Sequence, residues 1–364
     1  MLTQAKETAL YKTHVRLGAK MSPFGGFLMP IVYSSILEEH SAVRTAVGMF
    51  DLSHMGQFVA RGEGVAAWLD GLTANDVASM RPNQARYNIF TNDAGGAHDD
   101  VIIYRLDGRW LIVVNAANTA KMWELLSATK PAPVELTNRT ASSSLIALQG
   151  PNAAAVLQPL CDRSLADVRY YHAAEVRVAG VKTEIARTGY TGEDGFEVFA
   201  SAGAAKTLWE AFTAAGAGLG LRPAGLGARD VLRLEAGMPL YGHELDESIT
   251  PLQAGLDWVV KFNKQFTGKA ALEKQRAENA YDRIAGLVME GKAPARATYP
   301  VLLGGERVGE IRSGSPAPAL GGKNIATALV RKSAAEVGTR LTVEIRGIAH
   351  AATVVAMPFY KRKS

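Results

Sequence analysis

The chain has 364 residues and 48% hydrophobic composition, enough for two or three compact domains that each bury a core. Its 40 basic and 35 acidic side chains leave a net charge of +5, too small and too evenly spread for a nucleic-acid protein but compatible with an anionic ligand or an acidic partner. A single cysteine, Cys161, excludes an internal disulfide framework and a cysteine-cluster metal site. No stretch approaches the about 20 apolar residues of a membrane span, and "MLTQAKETALYKTHVRL" lacks the apolar core of a secretory signal, so a cytoplasmic chain is expected.

In chain order, "SSILEEHSAVRTAVGMF" opens with Ser35 and Glu38 at capping-box spacing and sets Ile36, Val43, Ala46 and Val47 on one stripe, which predicts a helix over roughly 36 to 48. "GQFVARG" then reads as a strand, "GVAAWLDGL" as a helix, "YNIFTNDAGGAHDDVIIY" as a hairpin with a Gly-rich turn, "RWLIVVNAAN" as a strand and "TAKMWELLSA" as a helix. The middle repeats this mixture: "SLIALQG" strand, "NAAAVLQPL" helix, "AEVRVAGVKTEIARTGYTG" hairpin, "AAKTLWEAFTAAG" helix. Tight turns join the strands as often as helices do, so α+β with antiparallel sheets fits better than a doubly wound parallel sheet. The basic stretch "VVKFNKQFTGKAALEKQR" reads as a solvated linker or helix face. From about residue 282 onward short strands punctuated by Gly and Pro predict a separate all-β barrel or jelly roll.

Three stretches carry candidate chemistry. In "TNDAGGAHDDVIIY", Val101, Ile102 and Ile103 occupy both faces of a strand, so the strand is expected to be buried on both sides. Asp99 and Asp100 point to opposite faces and cannot share one pocket. One of them is expected to bond the N–H groups of the Gly95-Gly96 turn, and periodicity does not say which. The seven histidines show no i, i+4 pair and no tight cluster, so no metal site is expected. In "ARTGYTGEDGFEVF" a tyrosine and two glutamates sit on a wider loop than hairpin closure demands, and such loops are where binding groups live. In "GLGARDVLRLEAGMPLYGHEL" a helix from about 224 to 236 carries Arg229 and Arg233 one turn apart and ends at Gly237. Leu226, Val231, Leu232 and Leu234 crowd them, so at least one guanidinium is expected to be partly buried and to need an anionic partner.

Together and in register, "KMSPFGGFLMPIVY", "MFDLSHMG", "FTNDAGGAHDDVIIY", "VVNAAN", "LIALQGP", "RTGYTGEDGFE", "GLGARDVLRLEAGMPLYG" and "MPF" resemble the T-protein of the glycine cleavage system, a tetrahydrofolate-dependent aminomethyltransferase. The resemblance runs nearly end to end. It implies a three-domain cloverleaf around a folate site. The two α+β domains are interleaved in sequence, at 1–50 with 140–228 and at 51–139 with 229–281, and a jelly roll or barrel follows at 282–364.

The implied reaction moves the one-carbon unit of an aminomethyl group, held through sulfur on the lipoyl arm of a transiently bound H-protein, to the co-substrate tetrahydrofolate. Ammonia and the reduced lipoyl thiol leave. Asp100 falls on the catalytic carboxylate and Asp99 on a structural one. Glu197, rather than Glu193, falls on the carboxylate that meets the guanidine-like edge of the pterin. Tyr87, Tyr190, Met55 and Asn115 fall on positions lining the folate pocket, and Arg229 on the ligand-contacting arginine. A late tyrosine aligns loosely with Tyr360, and Lys361, Arg362 or Lys363 is a candidate for the glutamate tail.

Three departures stand out: Ala97 and His98 replace aliphatic residues, the tail after "MPF" is short, and Phe27 replaces a polar residue or Trp. Two rivals remain. One is a folate-dependent demethylase on the same scaffold, whose oxidative members carry a flavin domain; no strand-led GxGxxG fingerprint is present here. The other is a non-catalytic folate-binding regulator, in which the aspartate and the loop glutamates tend to be lost, whereas both stand here.

Overall fold

The computed structural model describes residues 5–362, so Lys363 lies outside the described residues. The fold is α+β followed by a closed β-barrel, as the sequence texture predicts. One sheet has six strands in the order Ala173–Val178, Val181–Ala186, Gly195–Ser201, Ser143–Gln149, Val47–Asp51 and Leu221–Pro223. Every pairing is antiparallel except the last, where Leu221–Pro223 runs parallel to Val47–Asp51. On one face Met49, Ile146, Leu148, Ile185, Phe196 and Val198 pack with Leu208, Trp209 and Phe212 of the helix Ala205–Gly216. Each large side chain buried there contributes about 1.5–3 kcal/mol. Side chains alternate along a strand, so Glu197 and Phe199 fall on the opposite face from Phe196 and Val198. That parity gives the sheet one apolar face and one that can hold a carboxylate.

A second sheet has five strands in the order Gln84–Thr91, Ala97–Leu106, Arg109–Val114, Gly56–Arg61 and Glu135–Asn138. A small sheet pairs Phe27–Val32 with Lys6–Glu7 in parallel and with Lys20–Phe24 antiparallel. The barrel closes in the order Arg283–Met289, Lys323–Val330, Glu306–Ala317, Pro300–Leu303, Arg340–Ile345 and Ile348–Val355, all antiparallel. Closure removes exposed edges, and Leu287, Val301, Ile311, Val330 and Val343 fill the interior. The chain divides into two compact units: Met1–Leu69 with Val77–Tyr87 and Val101–Asp230, and Asp70–Asp76 with Asn88–Asp100 and Val231–Ser364. The six-stranded sheet lies in the first and the barrel in the second.

Three local expectations are corrected. The helix predicted over 36 to 48 spans Ile36–Thr45 and is capped as expected by Ser35, whose Oγ accepts from the Glu38 N–H at 3.2 Å. It stops early because Val47–Asp51 is a fully buried strand, and burial on both faces erases the alternation that would announce one. The Gly-rich turn is closed by Asn92, not by an aspartate: Asn92 O accepts from Gly95 N–H and Asn92 Oδ1 from Gly96 N–H, each at 2.9 Å. The basic stretch after residue 258 is a helix face in its second half, where Lys269–Glu278 is helical with Lys274 exposed, but it is not merely solvated. Lys264 Nζ donates to the carbonyls of Asp70 and Thr73, and the Arg276 guanidinium stacks 3.6 Å from the Phe262 ring centroid.

Candidate active site

The first unit gathers an unusual set of partly satisfied polar groups. The strand Val47–Asp51 delivers Asp51 to a wholly buried position, where it accepts from Thr8 Oγ1 at 2.7 Å, pairs with His14 Nε2 at 2.9 Å and accepts from the Ser53 N–H at 2.9 Å. His14 Nδ1 in turn meets the Tyr33 hydroxyl at 2.8 Å. Burial alone would raise the Asp51 carboxyl, but the hydrogen bonds and charge of His14, with those from Ser53 and Thr8, hold it below the usual carboxylate range. The turn that follows is fixed at three more points. Leu52 N–H donates to Leu145 O, Leu145 N–H to Ser53 Oγ, and Met55 N–H to Leu52 O. Met55, partly exposed, therefore sits on a rigid platform, next to a buried His54 that sequence reasoning passed over.

Burial drives the His54 pKa down to about 4; Asp51 opposes the shift and the Arg229 charge adds to it. A folded value below the unfolded value of about 6.5 means that the unfolded chain binds the extra proton first. The stability held above pH 6.5 is therefore lost as the pH falls through about 4, by an amount on the order of 3 kcal/mol. Denaturant melts of the protein and of His54→Leu across this range check it: the wild-type slope between pH 6.5 and 4 is expected to flatten in the variant.

Glu197 stands between two alanines, opposite Ala147 on one neighbouring strand and Ala186 on the other, so neither cross-strand partner is bulky. It is 8% exposed. Its Oε2 accepts from Thr188 Oγ1 at 2.5 Å and from the Tyr104 hydroxyl at 3.3 Å. Burial, then the Glu197 charge, raises the Tyr104 pKa well above its usual value, so this phenol remains a donor. Oε1 accepts from no described residue and is not sealed. The carboxylate is thus aimed by one oxygen and offers the other.

The loop before Glu197 explains its own surplus of polar residues. Arg187 clamps Asp194 with two hydrogen bonds of 2.9 and 2.6 Å, closing the loop's base. Arg44 holds Glu193 at 2.9 Å and the Thr191 carbonyl at 2.6 Å, and Gln149 bonds both the Thr191 hydroxyl and the Thr188 carbonyl. Gly189 and Gly195 are required: a Cβ at either would lie 2.0 or 2.5 Å from the nearest Gln149 side-chain atom. These latches spend Glu193 on structure and leave Tyr190 to stack on Arg229, whose guanidinium carbon lies 4.6 Å from the ring centroid. Burial lowers the Arg229 pKa, opposed by Tyr190 and Glu197, yet no described residue accepts a hydrogen bond from its guanidinium. An open carboxylate oxygen and an unspent cation on an aromatic face suit a planar ligand with both donors and anionic groups.

The helix Leu226–Glu235 places the two arginines differently. It ends at Gly237, φ 66°, with Gly237 N–H on Leu234 O and Met238 N–H on Arg233 O, a Schellman closure. Arg233 is the buried one, paired with Glu244 at 2.9 Å and donating to Ser313 Oγ at 2.7 Å. Tyr87 and Asn115 are partly exposed, on the strand Gln84–Thr91 and just beyond the strand Arg109–Val114. A cavity of about 650 Å³ elsewhere in the first unit is basic, but its inner cations Arg109 and Arg139 are already bound to Glu184 at 2.6 and 2.9 Å, which argues against an anion site there.

In the second unit Asp100 is partly exposed near the start of the strand Ala97–Leu106, while Asp99 is fully buried. The strand start is fixed by Tyr241, whose hydroxyl donates to Ala97 O at 3.1 Å, and by Ala97 N–H on Asp246 O at 2.9 Å. His98 meets Glu247 at 3.2 Å and remains partly exposed. Tyr360 N–H donates to Glu235 O at 2.8 Å, and Lys361 and Arg362 are exposed. No group of His, Cys, Asp and Glu among the described residues is arranged to hold a metal ion, and no described helix is long and apolar enough to cross a membrane.

Residues 10–264 match the family model of the GCVT N-terminal domain, and residues 283–361 that of the glycine cleavage T-protein C-terminal barrel domain. The chain is 47% identical over 363 residues to an aminomethyltransferase of Thermosynechococcus vestitus, covering 100% of this chain and 97% of that protein. It is 46% identical to an aminomethyltransferase of Geobacillus kaustophilus, covering 98% and 99%. The crystal structure of glycine cleavage system aminomethyltransferase T from Bartonella henselae superposes with a TM-score of 0.91 at 32% identity, covering 99% of each chain.

Proposed function

Since the chain belongs to the aminomethyltransferase family of the glycine cleavage T-protein, we propose that it transfers the one-carbon unit of an aminomethyl-lipoyl H-protein to tetrahydrofolate. The products are 5,10-methylenetetrahydrofolate, ammonia and the dihydrolipoyl carrier. The observation that carries this reading is Glu197: a carboxylate aimed by Thr188 and Tyr104, with Oε1 open, at the position where the family meets the pterin edge. Adjacent N–H groups on that edge match a carboxylate with charge-assisted hydrogen bonds.

In the proposed reaction the folate N5 bonds to the methylene as the carbon–sulfur bond breaks and its pair goes to sulfur. N10 then displaces ammonia. The protons of N5 and N10 end on the thiol and the ammonium, so the balance closes without an oxidant. Asp100 is assigned to orient the folate nitrogens, relay these protons and stabilise the positive charge that develops on the methylene. Met55, Tyr87, Asn115, Tyr190 and Arg229 are assigned to folate binding, and Tyr360 and Arg362 to its glutamate tail. We infer further that the two α+β domains interleave as the family resemblance implies. The six-stranded sheet supports this, drawing Val47–Asp51 and Ser143–Gln149 from either side of the segment that builds the five-stranded sheet. A transient complex with the carrier in a reducing, cytoplasmic setting suits the net +5 charge and the free Cys161.

The test is a substrate comparison. Aminomethylated H-protein is expected to drive methylenetetrahydrofolate formation, while dimethylglycine, sarcosine and methyl sulfonium or aryl ether donors leave tetrahydrofolate unchanged; turnover on a free methyl donor alone makes the protein a demethylase. Within this reading Glu197→Gln loses about 2 kcal/mol of tetrahydrofolate binding, roughly 30-fold in Kd, because the charge-assisted bonds become neutral. A calorimetric titration measures it, and unchanged affinity removes Glu197 from the pterin edge.

A further inference from the structure

We propose that His54 is a further binding residue of this site, donating its Nε2–H to an acceptor atom of the bound folate. The inference rests on the function proposed above.

His54 is 2% exposed and makes no hydrogen bond to any described residue. A polar side chain at that depth ordinarily has a partner. Its Nδ1 is sealed from solvent, whereas Nε2 is not. The ring packs edge-on against Phe24, centroids 5.7 Å apart, and its backbone belongs to the turn pinned by Asp51, Ser53 and Met55, so it has little freedom to seek another partner.

A neutral imidazole carries one donor and one acceptor. Burial, with the Arg229 charge, keeps this ring neutral at physiological pH. Orphaned buried donors are rarer than under-satisfied acceptors, so the proton belongs on Nε2, the nitrogen that remains reachable. The Arg229 charge acts on the ring, and Arg229 itself stacks on Tyr190 and feels the Glu197 charge, so His54 belongs to the same group of polar residues. A packing role alone would require only an apolar ring of similar size beside Phe24. A histidine with one nitrogen sealed and the other left without a partner is what a ligand-directed donor requires.

The experiment compares His54→Gln, which keeps an N–H near the Nε2 position, with His54→Leu, which keeps bulk only. Tetrahydrofolate affinity of His54→Leu is expected to fall about tenfold, with a matching rise in KM, a kcat within about threefold and an unchanged KM for H-protein. His54→Gln stays within about threefold of wild type in affinity. Equal losses in both variants make the role one of packing and overturn the proposal, as does no loss in either.

Nitrogen-15 spectra of histidine-labelled wild-type protein give a second reading, the His54 signals being assigned as those missing from the spectrum of His54→Gln. The proton is expected on Nε2, and that resonance moves when tetrahydrofolate saturates the protein. A proton on Nδ1, or an unmoved signal, overturns the proposal. Wild-type protein that binds no tetrahydrofolate sinks the functional reading with it; wild-type binding with a silent His54 sinks this inference alone.

Discussion

Replacing Asp100 by asparagine is expected to lower turnover by about 10²–10⁴-fold while tetrahydrofolate affinity stays within several-fold. The amide keeps the size of the carboxylate but can neither take up a proton from the folate nitrogens nor offset positive charge on the methylene. Asp100 is partly exposed on a strand whose start is held by Tyr241 and Asp246, so the substitution leaves the fold intact. Steady-state kcat with aminomethylated H-protein, set beside a tetrahydrofolate titration of the same variant, separates the two effects. Equal turnover by the variant removes Asp100 from the mechanism.

The largest loss of stability is expected from Arg233→Ala. Arg233 and Glu244 are 1% and 3% exposed and pair at 2.9 Å, and the Glu244 carboxylate also takes the Leu240 N–H at 2.9 Å and the Thr327 hydroxyl. Removing the guanidinium leaves a buried carboxylate without its counter-charge, which costs about 3–5 kcal/mol. Burial would raise the Glu244 pKa, but Arg233, with the hydrogen bonds of Ser313, Thr327 and Leu240, holds it below the usual range. Such a carboxylate favours the folded state above its unfolded value, about pH 4.3, and that contribution is lost as the pH falls through the lowered folded value. Denaturant midpoints of Arg233→Ala and of the double variant Arg233→Met with Glu244→Leu check the account, the double variant recovering most of the loss. A single variant as stable as wild type contradicts it.

The two arginines of this helix mark how far a sequence carries. Their spacing and apolar neighbours predict a buried guanidinium with an anionic partner, and Arg233 with Glu244 is that pair. Which arginine takes the partner depends on where the helix lies against the rest of the chain, and local pattern is silent on it. Most helices, hairpins and barrel strands follow from periodicity and turn residues because each has one wet face. Val47–Asp51, buried throughout, shows no such contrast and was legible only as part of a motif.

The loop at 187–194 was legible as a place of excess polarity, but its division of labour was not. Arg187 with Asp194 and Arg44 with Glu193 are pairings that no spacing rule selects, and they commit Asp194 and Glu193 to holding the loop. Tyr104 carried a usable signal, a hydroxyl ending the aliphatic run "VIIY", since a buried tyrosine needs a partner for it. His54 carried none, having no paired histidine, and only its surroundings single it out.

The most direct measurement follows the transferred carbon itself. H-protein loaded with a carbon-13 aminomethyl group is mixed with this protein and tetrahydrofolate in a single turnover and read by NMR. The label is expected between N5 and N10 of the folate, with one ammonia and one lipoyl thiol released per carbon. Label that remains on sulfur, or leaves as formaldehyde at the same rate with and without folate, contradicts it.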